Sequence, residues 1–175
     1  MAEPATYQEE LLERIRRTTG DLVWAVESLD FDAATLCPSD TEWSIHEHLS
    51  HLVDMEQEVY LPLLRWATVP EMLDPRDYSR KDWHERRYRP NESVDTLLGE
   101  LARFREEELA IFHGLRPSAW TAWREDTRWG PLTCQWIAEV VYRHALDHLQ
   151  GIMALRSDLT LEALRPAPRA FGRDR

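Results

Sequence analysis

Residues 143–152 read RHALDHLQGI, with two histidines four positions apart. On a helix of 3.6 residues per turn, His144 and His148 share a face. Ile137, Val140, Val141, Gly151, Ile152 and Leu155 fall on the same stripe, so both imidazoles are directed into a core. Buried imidazoles are costly unless their ring nitrogens have partners. Hydrogen bonds within the core are one solution. A divalent metal is another, because histidines at i and i+4 can each give one nitrogen to the same ion. Gly151 has no side chain, which lets a neighbouring backbone or ligand approach closely there.

The stretch HEHLSHLVDMEQ, residues 46–57, offers partners for that pair. With Ile45, Leu49, Leu52 and Leu63 marking the core direction, His48 falls inside the apolar arc and His51 at its edge. His46 falls on the outer flank, toward solvent. The pattern alone leans to His48 over His51 as the partner of His144 and His148. Glu56 lies near the centre of the arc, where a carboxylate needs a cation, a donor or a proton. It is the candidate catalytic residue, as a general base on water or substrate, or else an orienting partner for a ligand histidine. A structural pair with Arg105 is the competing reading.

Four long helical segments must position these groups. The first covers about residues 5–29, with Leu11, Ile15, Leu22 and Val26 on its apolar stripe. The second opens at Ser44 and Glu47, an S-x-x-E capping box, and runs to about Trp66. Pro62 lies inside it and predicts a kink or an early end. The third spans about 92–115, faced by Leu97, Leu98, Leu101, Phe104, Leu109 and Phe112. The fourth starts near Thr133, a good N-cap, and reaches about Leu155. Strand-like alternation is missing. The fold class is therefore all-α: an up-and-down four-helix bundle with long connections between helices 2–3 and 3–4. Residues 1–160 form this one domain, and 161–175 form a flexible basic tail, which includes RPAPRAFGRDR. Trp83, Trp120, Trp123 and Trp129 lie in connections, which predicts that those connections pack on the body.

The composition narrows the function. Hydrophobic residues are 43% and charged residues 30%, as in globular rather than disordered chains. A net charge of −11 repels a phosphate backbone, so no nucleic acid is expected as partner. No apolar run is long enough for a membrane span, and the acidic start does not resemble a signal peptide, so the expected address is the cytoplasm. Two cysteines without C-x-x-C suit neither a disulfide framework nor a zinc finger. Cys134 aligns with Ile137 and Val141 and reads as a small buried apolar residue. Cys37 has no partner. His113 suits a helix C-terminus, and His84 a surface loop. The connection at 67–90 is rich in arginine and aromatic residues, and its arginines would attract an anion. Asp74, Asp77, Asp82 and Glu85 lie among them, so a self-paired solvated loop is the favoured reading.

Taken together, these motifs resemble a known family. W-S-x-x-E-x-L-x-H-L-x-D-x-E at 43–56, ELARFREEEL around Arg105, G-x-L-T at 130–133 and H-x-x-x-H at 144–148 resemble the DinB-like metal-binding four-helix bundles of the YfiT type. Their order and spacing cover about residues 5–156. The resemblance implies a metal held by one histidine of the second helix and two of the last. These match His51, eight residues after Trp43, with His144 and His148. It implies a divalent metal such as Zn, Ni or Fe, with positions left open for reaction. It also implies a small-molecule substrate and a homodimer. The expected function is a low-molecular-weight-thiol S-transferase (bacillithiol- or mycothiol-like) or a metal-dependent hydrolase. The alternative is a non-catalytic metal-binding stress or interaction protein. One departure is Gln150, which falls one place early against the family's H-L-x-Q-I and is expected to face away from the metal.

Overall fold

The computed structural model describes residues 6–39, 42–69, 71, 87–126 and 130–163. Most of the basic connection, with Trp83 and His84, lies outside the described residues, as do Trp129 and the chain beyond Ala163.

Helix α1 is Tyr7–Val26. Thr6 caps it: its hydroxyl accepts from the Glu9 amide, and Glu9 reaches back to the Thr6 amide at 2.7 Å. The helix stops short of the expected residue 29, because Ser28 turns into the left-handed region at φ 68°. A short helix α2, Phe31–Thr35, follows on an Asp30 cap, inside the segment read as a break. The capping box is as expected: the Ser44 hydroxyl accepts from Glu47 N at 3.1 Å, and Glu47 Oε2 accepts from Ser44 N at 2.7 Å. It opens α3, Ile45–Met55.

Pro62 does not end the second helix. It has no N–H to give the fourth residue back, and its ring would crowd that carbonyl. The chain widens instead into a π-turn over Glu56–Tyr60, where the Leu61 amide bonds to the Glu56 carbonyl. The rod continues as α4, Leu61–Thr68. Helix α5 is Val94–His113, capped by Ser93 and ended at Gly114. A short α6, Pro117–Thr121, leads into an antiparallel ribbon of β1, Trp123–Asp126, and β2, Gly130–Thr133. No strand was expected. Four residues per strand are too few for alternation to show. The Thr133 hydroxyl then accepts from Trp136 N at 3.0 Å and starts α7. This helix, Cys134–Ala163, runs past the expected end at Leu155 and three residues into the segment read as tail.

The long helices form the expected four-helix bundle. Helix α1 packs on α7 and α5, and the α3–α4 rod packs on α5 and α7, so α1 and the rod stand at opposite corners. Contacts fix the directions. Tyr7 hydroxyl donates to Glu139 at 2.9 Å, and Arg156 donates to the Ala25 carbonyl at 2.6 Å, so α1 and α7 run parallel. His46 meets the Glu92 carbonyl and Arg65 meets Glu107, so the rod and α5 also run parallel. Strict alternation thus lapses once, between the second and third long helices. The intervening chain permits it: about 25 residues reach up to about 80 Å, while the rod is about 36 Å long.

Two apolar clusters fill the bundle. One holds Leu11, Ile15, Leu64, Phe112 and Ile137, the other Leu22, Leu49, Leu52, Leu101 and Ile152. Along the helices, buried Glu56, Arg105 and Glu108 fall between the two clusters, whereas buried His51 and His148 stand level with the second. Trp120 is packed as expected, stacking on Phe112 at 5.4 Å, but Trp123 on the ribbon is 66% exposed. No helix among the described residues is long and apolar enough to cross a membrane.

Ser44→Ala removes a cap and should lower unfolding free energy by about 1 kcal/mol. Leu49→Ala should cost about 2–5 kcal/mol by opening a cavity. Urea titration reads both. Equal, near-zero effects would mean that neither the cap nor this core position holds the second helix.

Candidate metal centre

The rod and α7 meet antiparallel, and their seam carries four imidazoles. His51, 3% exposed, lies between His144 and His148, with ring centroids 5.3 and 5.1 Å away. One nitrogen from each of these three rings lies within 4.8 Å of the other two. His144 Nε2 and His148 Nε2 are 3.1 Å apart. Nitrogens each about 2.0–2.1 Å from one ion would lie about 2.9 Å apart at a right angle and about 3.4 Å apart at the tetrahedral angle. The observed spacing falls in that interval, so the donor set fits a divalent ion.

The structure therefore brings His51, rather than His48, together with His144 and His148. His48 stands one step outside, its Nδ1 2.8 Å from His148 Nδ1. Burial holds the His48 imidazole below its usual pKa, partly offset by Glu47. His46, expected in solvent, is fully buried. The Glu92 carbonyl can only accept, so His46 Nε2 donates to it at 2.8 Å, leaving Nδ1 to accept from the Tyr88 hydroxyl at 3.0 Å. Residues 87–93 cover a flank that the periodicity of one helix leaves open.

Glu56 is the main correction. It does not join the histidines or line the cavity beside them. Residues five apart on a helix point about 140° from each other. His51 thus faces α7, while Glu56 faces α5, where its Oε1 accepts from Arg105 at 2.5 Å. Arg105 also donates to Glu108 at 3.3 Å. Glu56 thus makes the pair with Arg105 that was the competing reading of the sequence. Two buried carboxyls share one guanidinium. Burial, then the charge of Glu56, push Glu108 well above the usual carboxyl range, against the pull of Arg105.

A cavity of about 910 Å³ opens on the histidines. Trp43, Met55, Tyr60 and Leu155 supply apolar walls, and Glu42, Asp147 and Asp158 supply charge. Trp43 stacks on His148 at 5.8 Å and meets His51 edge-on at 4.9 Å. Tyr60 lies edge-on to His144 at 5.6 Å, and burial, then Glu56, raise its phenol far above the usual range. Sequence reasoning missed Tyr60. Nine residues of plain helix would set it about 180° from His51, but the extra residue of the π-turn shifts it by about 100°. Pro62 was the available signal. Elsewhere, Cys134 is buried and its thiol is pushed up to about 11 by burial, which suits an apolar role. The exposed Cys37 thiol lies 3.5 Å from Glu47 and is also raised, first by burial. His113 Nδ1 donates to the Leu109 carbonyl at 2.7 Å, at the helix end expected for it.

A helical bundle with a histidine-lined cavity between two of its helices is the class of protein defined so far. The model of the DinB superfamily matches residues 14–152, and the chain belongs to that superfamily. Comparison with curated proteins finds no match. Among solved structures, YfiT from Bacillus subtilis superposes with a TM-score of 0.77 at 16% identity, covering 91% of this chain and 93% of that one. It is described as a probable metal-dependent hydrolase with an unusual four-helix bundle topology. At that identity the likeness shows the fold.

A carboxyl whose folded pKa is raised supports the fold fully below its unfolded value, near 4.5 for Glu108, and that support is lost as pH rises through the folded value. Glu108→Gln should therefore match or exceed wild type in Tm at about pH 8, with the advantage shrinking toward about pH 4. An advantage that grows on acidification would mean that ionised Glu108 is the favoured partner of Arg105.

Proposed function

We propose that this protein is a divalent-metal-dependent enzyme acting on a small molecule, with His51, His144 and His148 as the metal ligands. The observation that carries this reading is the convergence of three imidazole nitrogens from two helices on one cavity wall. Three histidines leave positions open, the pattern of a reactive rather than a closed site, and imidazole donors suit Zn, Ni or Fe. When bound, such an ion supplies Lewis acidity and lowers the pKa of a water or thiol held in the cavity.

The chain's own residues do the remaining work. Trp43 and Leu155 give one side of the cavity an apolar wall. Tyr60 lines the wall as a neutral phenol, able to hydrogen-bond without bringing charge. Glu42, Asp147 and Asp158 favour a neutral or cationic substrate over an anionic one. Likeness to YfiT, described as a probable metal-dependent hydrolase, supports hydrolysis. The cavity volume supports a second reading, transfer to a low-molecular-weight thiol, since about 910 Å³ has room for a thiol beside its electrophile. A thiol of low negative charge, nearer mycothiol than bacillithiol, suits the acidic wall.

Metal content by plasma mass spectrometry is the deciding measurement, on wild type and on His51→Ala/His144→Ala purified without added metal. About one ion per wild-type chain, lost in the folded variant, is expected. Amide-hydrolysis and thiol-conjugation assays should then fall in His148→Ala by more than the about 10–100-fold typical of an outer partner. Metal without either activity would favour the non-catalytic alternative. No metal after dialysis against zinc and nickel would overturn the proposal.

A further inference from the structure

The fourth imidazole of the seam has no assigned task. His48 lies outside the triad, yet its Nδ1 is 2.8 Å from His148 Nδ1. On its other side, His148 Nε2 faces His144 Nε2 at 3.1 Å. Both ring nitrogens of His148 are thus engaged, one toward His48 and one toward the triad. A neutral imidazole carries one proton. If that proton sits on Nδ1, His148 donates to His48 and presents an unprotonated Nε2 to the triad. The opposite arrangement, with His48 donating, would leave a proton on His148 Nε2 and block it as a ligand.

Two further contacts hold the His48 ring in place. Trp43 meets it edge-on at 5.5 Å while stacking on His148. Gly151, one turn beyond His148 on α7, provides the space. A Cβ built at Gly151 would lie 2.8 Å from His48 Cε1 and 3.0 Å from its Nε2. No side chain larger than hydrogen fits there while His48 keeps its position. Gly151 has no call for unusual backbone freedom inside a helix, where glycine is a poorer residue than alanine. The close approach of His48 accounts for it.

We infer that His48 is a positioning residue for His148, fixing its Nδ1–H tautomer so that Nε2 faces His51 and His144, and that Gly151 is the cradle that admits it. This rests on the metal reading proposed above, where ligand histidines hold their orientation through the hydrogen bond made by the other nitrogen. Here that partner is a second imidazole, which accepts through Nδ1.

The test has one arm that needs no metal. Imidazole nitrogen shifts of the metal-free protein, assigned by NMR, report the His148 tautomer directly. The Nδ1–H form is expected in wild type, lost or mixed in His48→Leu, and retained in His48→Asn, whose side-chain oxygen can stand where Nδ1 stood. An Nε2–H form in wild type would overturn the inference. The second arm is zinc affinity by competition with a chromophoric chelator. His48→Leu and Gly151→Ala should each weaken binding about 10–100-fold, with His48→Asn close to wild type. The double variant His48→Leu/Gly151→Ala should be little worse than either single one, because both remove the same contact. Additive losses, or an Asn variant as weak as Leu, would overturn it, the latter by showing His48 to be a ligand itself. Absence of zinc binding in wild type, with the Nδ1–H tautomer present, would sink the metal reading and leave the positioning contact standing.

Discussion

Polar groups in the middle of a helical bundle must be satisfied by the neighbouring helices, because water is excluded there. This constraint organises the molecule. Two apolar clusters fill the bundle, and a layer of buried histidines and charges is set beside them. The second long helix serves both seams of that layer. Toward α7 it offers imidazoles, and toward α5 it offers Glu56. Its neighbours are chosen to answer: histidines on one side and a guanidinium on the other.

The two halves of this layer solve the problem differently. On the α5 side, Arg105 pairs with both Glu56 and Glu108, and burial, then the charge of Glu56, moves Glu108 toward its neutral form. Removing one member of such a set strands the others, so each is expected to be costly to lose even though the set adds little net stability. On the α7 side, imidazole rings are arranged around one point and open to a cavity. The first half is closed and structural. The second is open, and any chemistry belongs there. The π-turn links them. It satisfies Pro62 and turns Tyr60 toward His144 within the same rod that presents Glu56 to Arg105.

Much of this was legible in the sequence because it rests on local spacing. The i, i+4 pair at His144 and His148, the Ser44–Glu47 box and the apolar stripes all survive in the fold. Partner choice across helices was harder. The apolar arc of the second helix is wide because it packs on two neighbours, so a residue inside the arc can face either. Periodicity placed Glu56 near the arc's centre but could not say that α5 lies on that side. The same width tilted the pattern toward His48, and only the resemblance to a family singled out His51. His46 was misjudged because its cover comes from residues 87–93, distant in sequence. Tyr60 was missed because one extra residue in the π-turn resets the helical phase.

The parallel pairing of α1 with α7 has a kinetic side. Tyr7 touches Glu139 and Ala25 touches Arg156, so the chain's first and last long helices are mutual neighbours. Contacts at such separation raise the contact order well above that of a bundle built from adjacent hairpins. The ordering entropy of the first three helices is spent before the last one rewards it. During synthesis, α1 would wait with the part of its apolar stripe that faces α7 uncovered until α7 leaves the ribosome. The histidine seam would then close at the same moment as the core, so that assembly of the bundle and assembly of the site are one event.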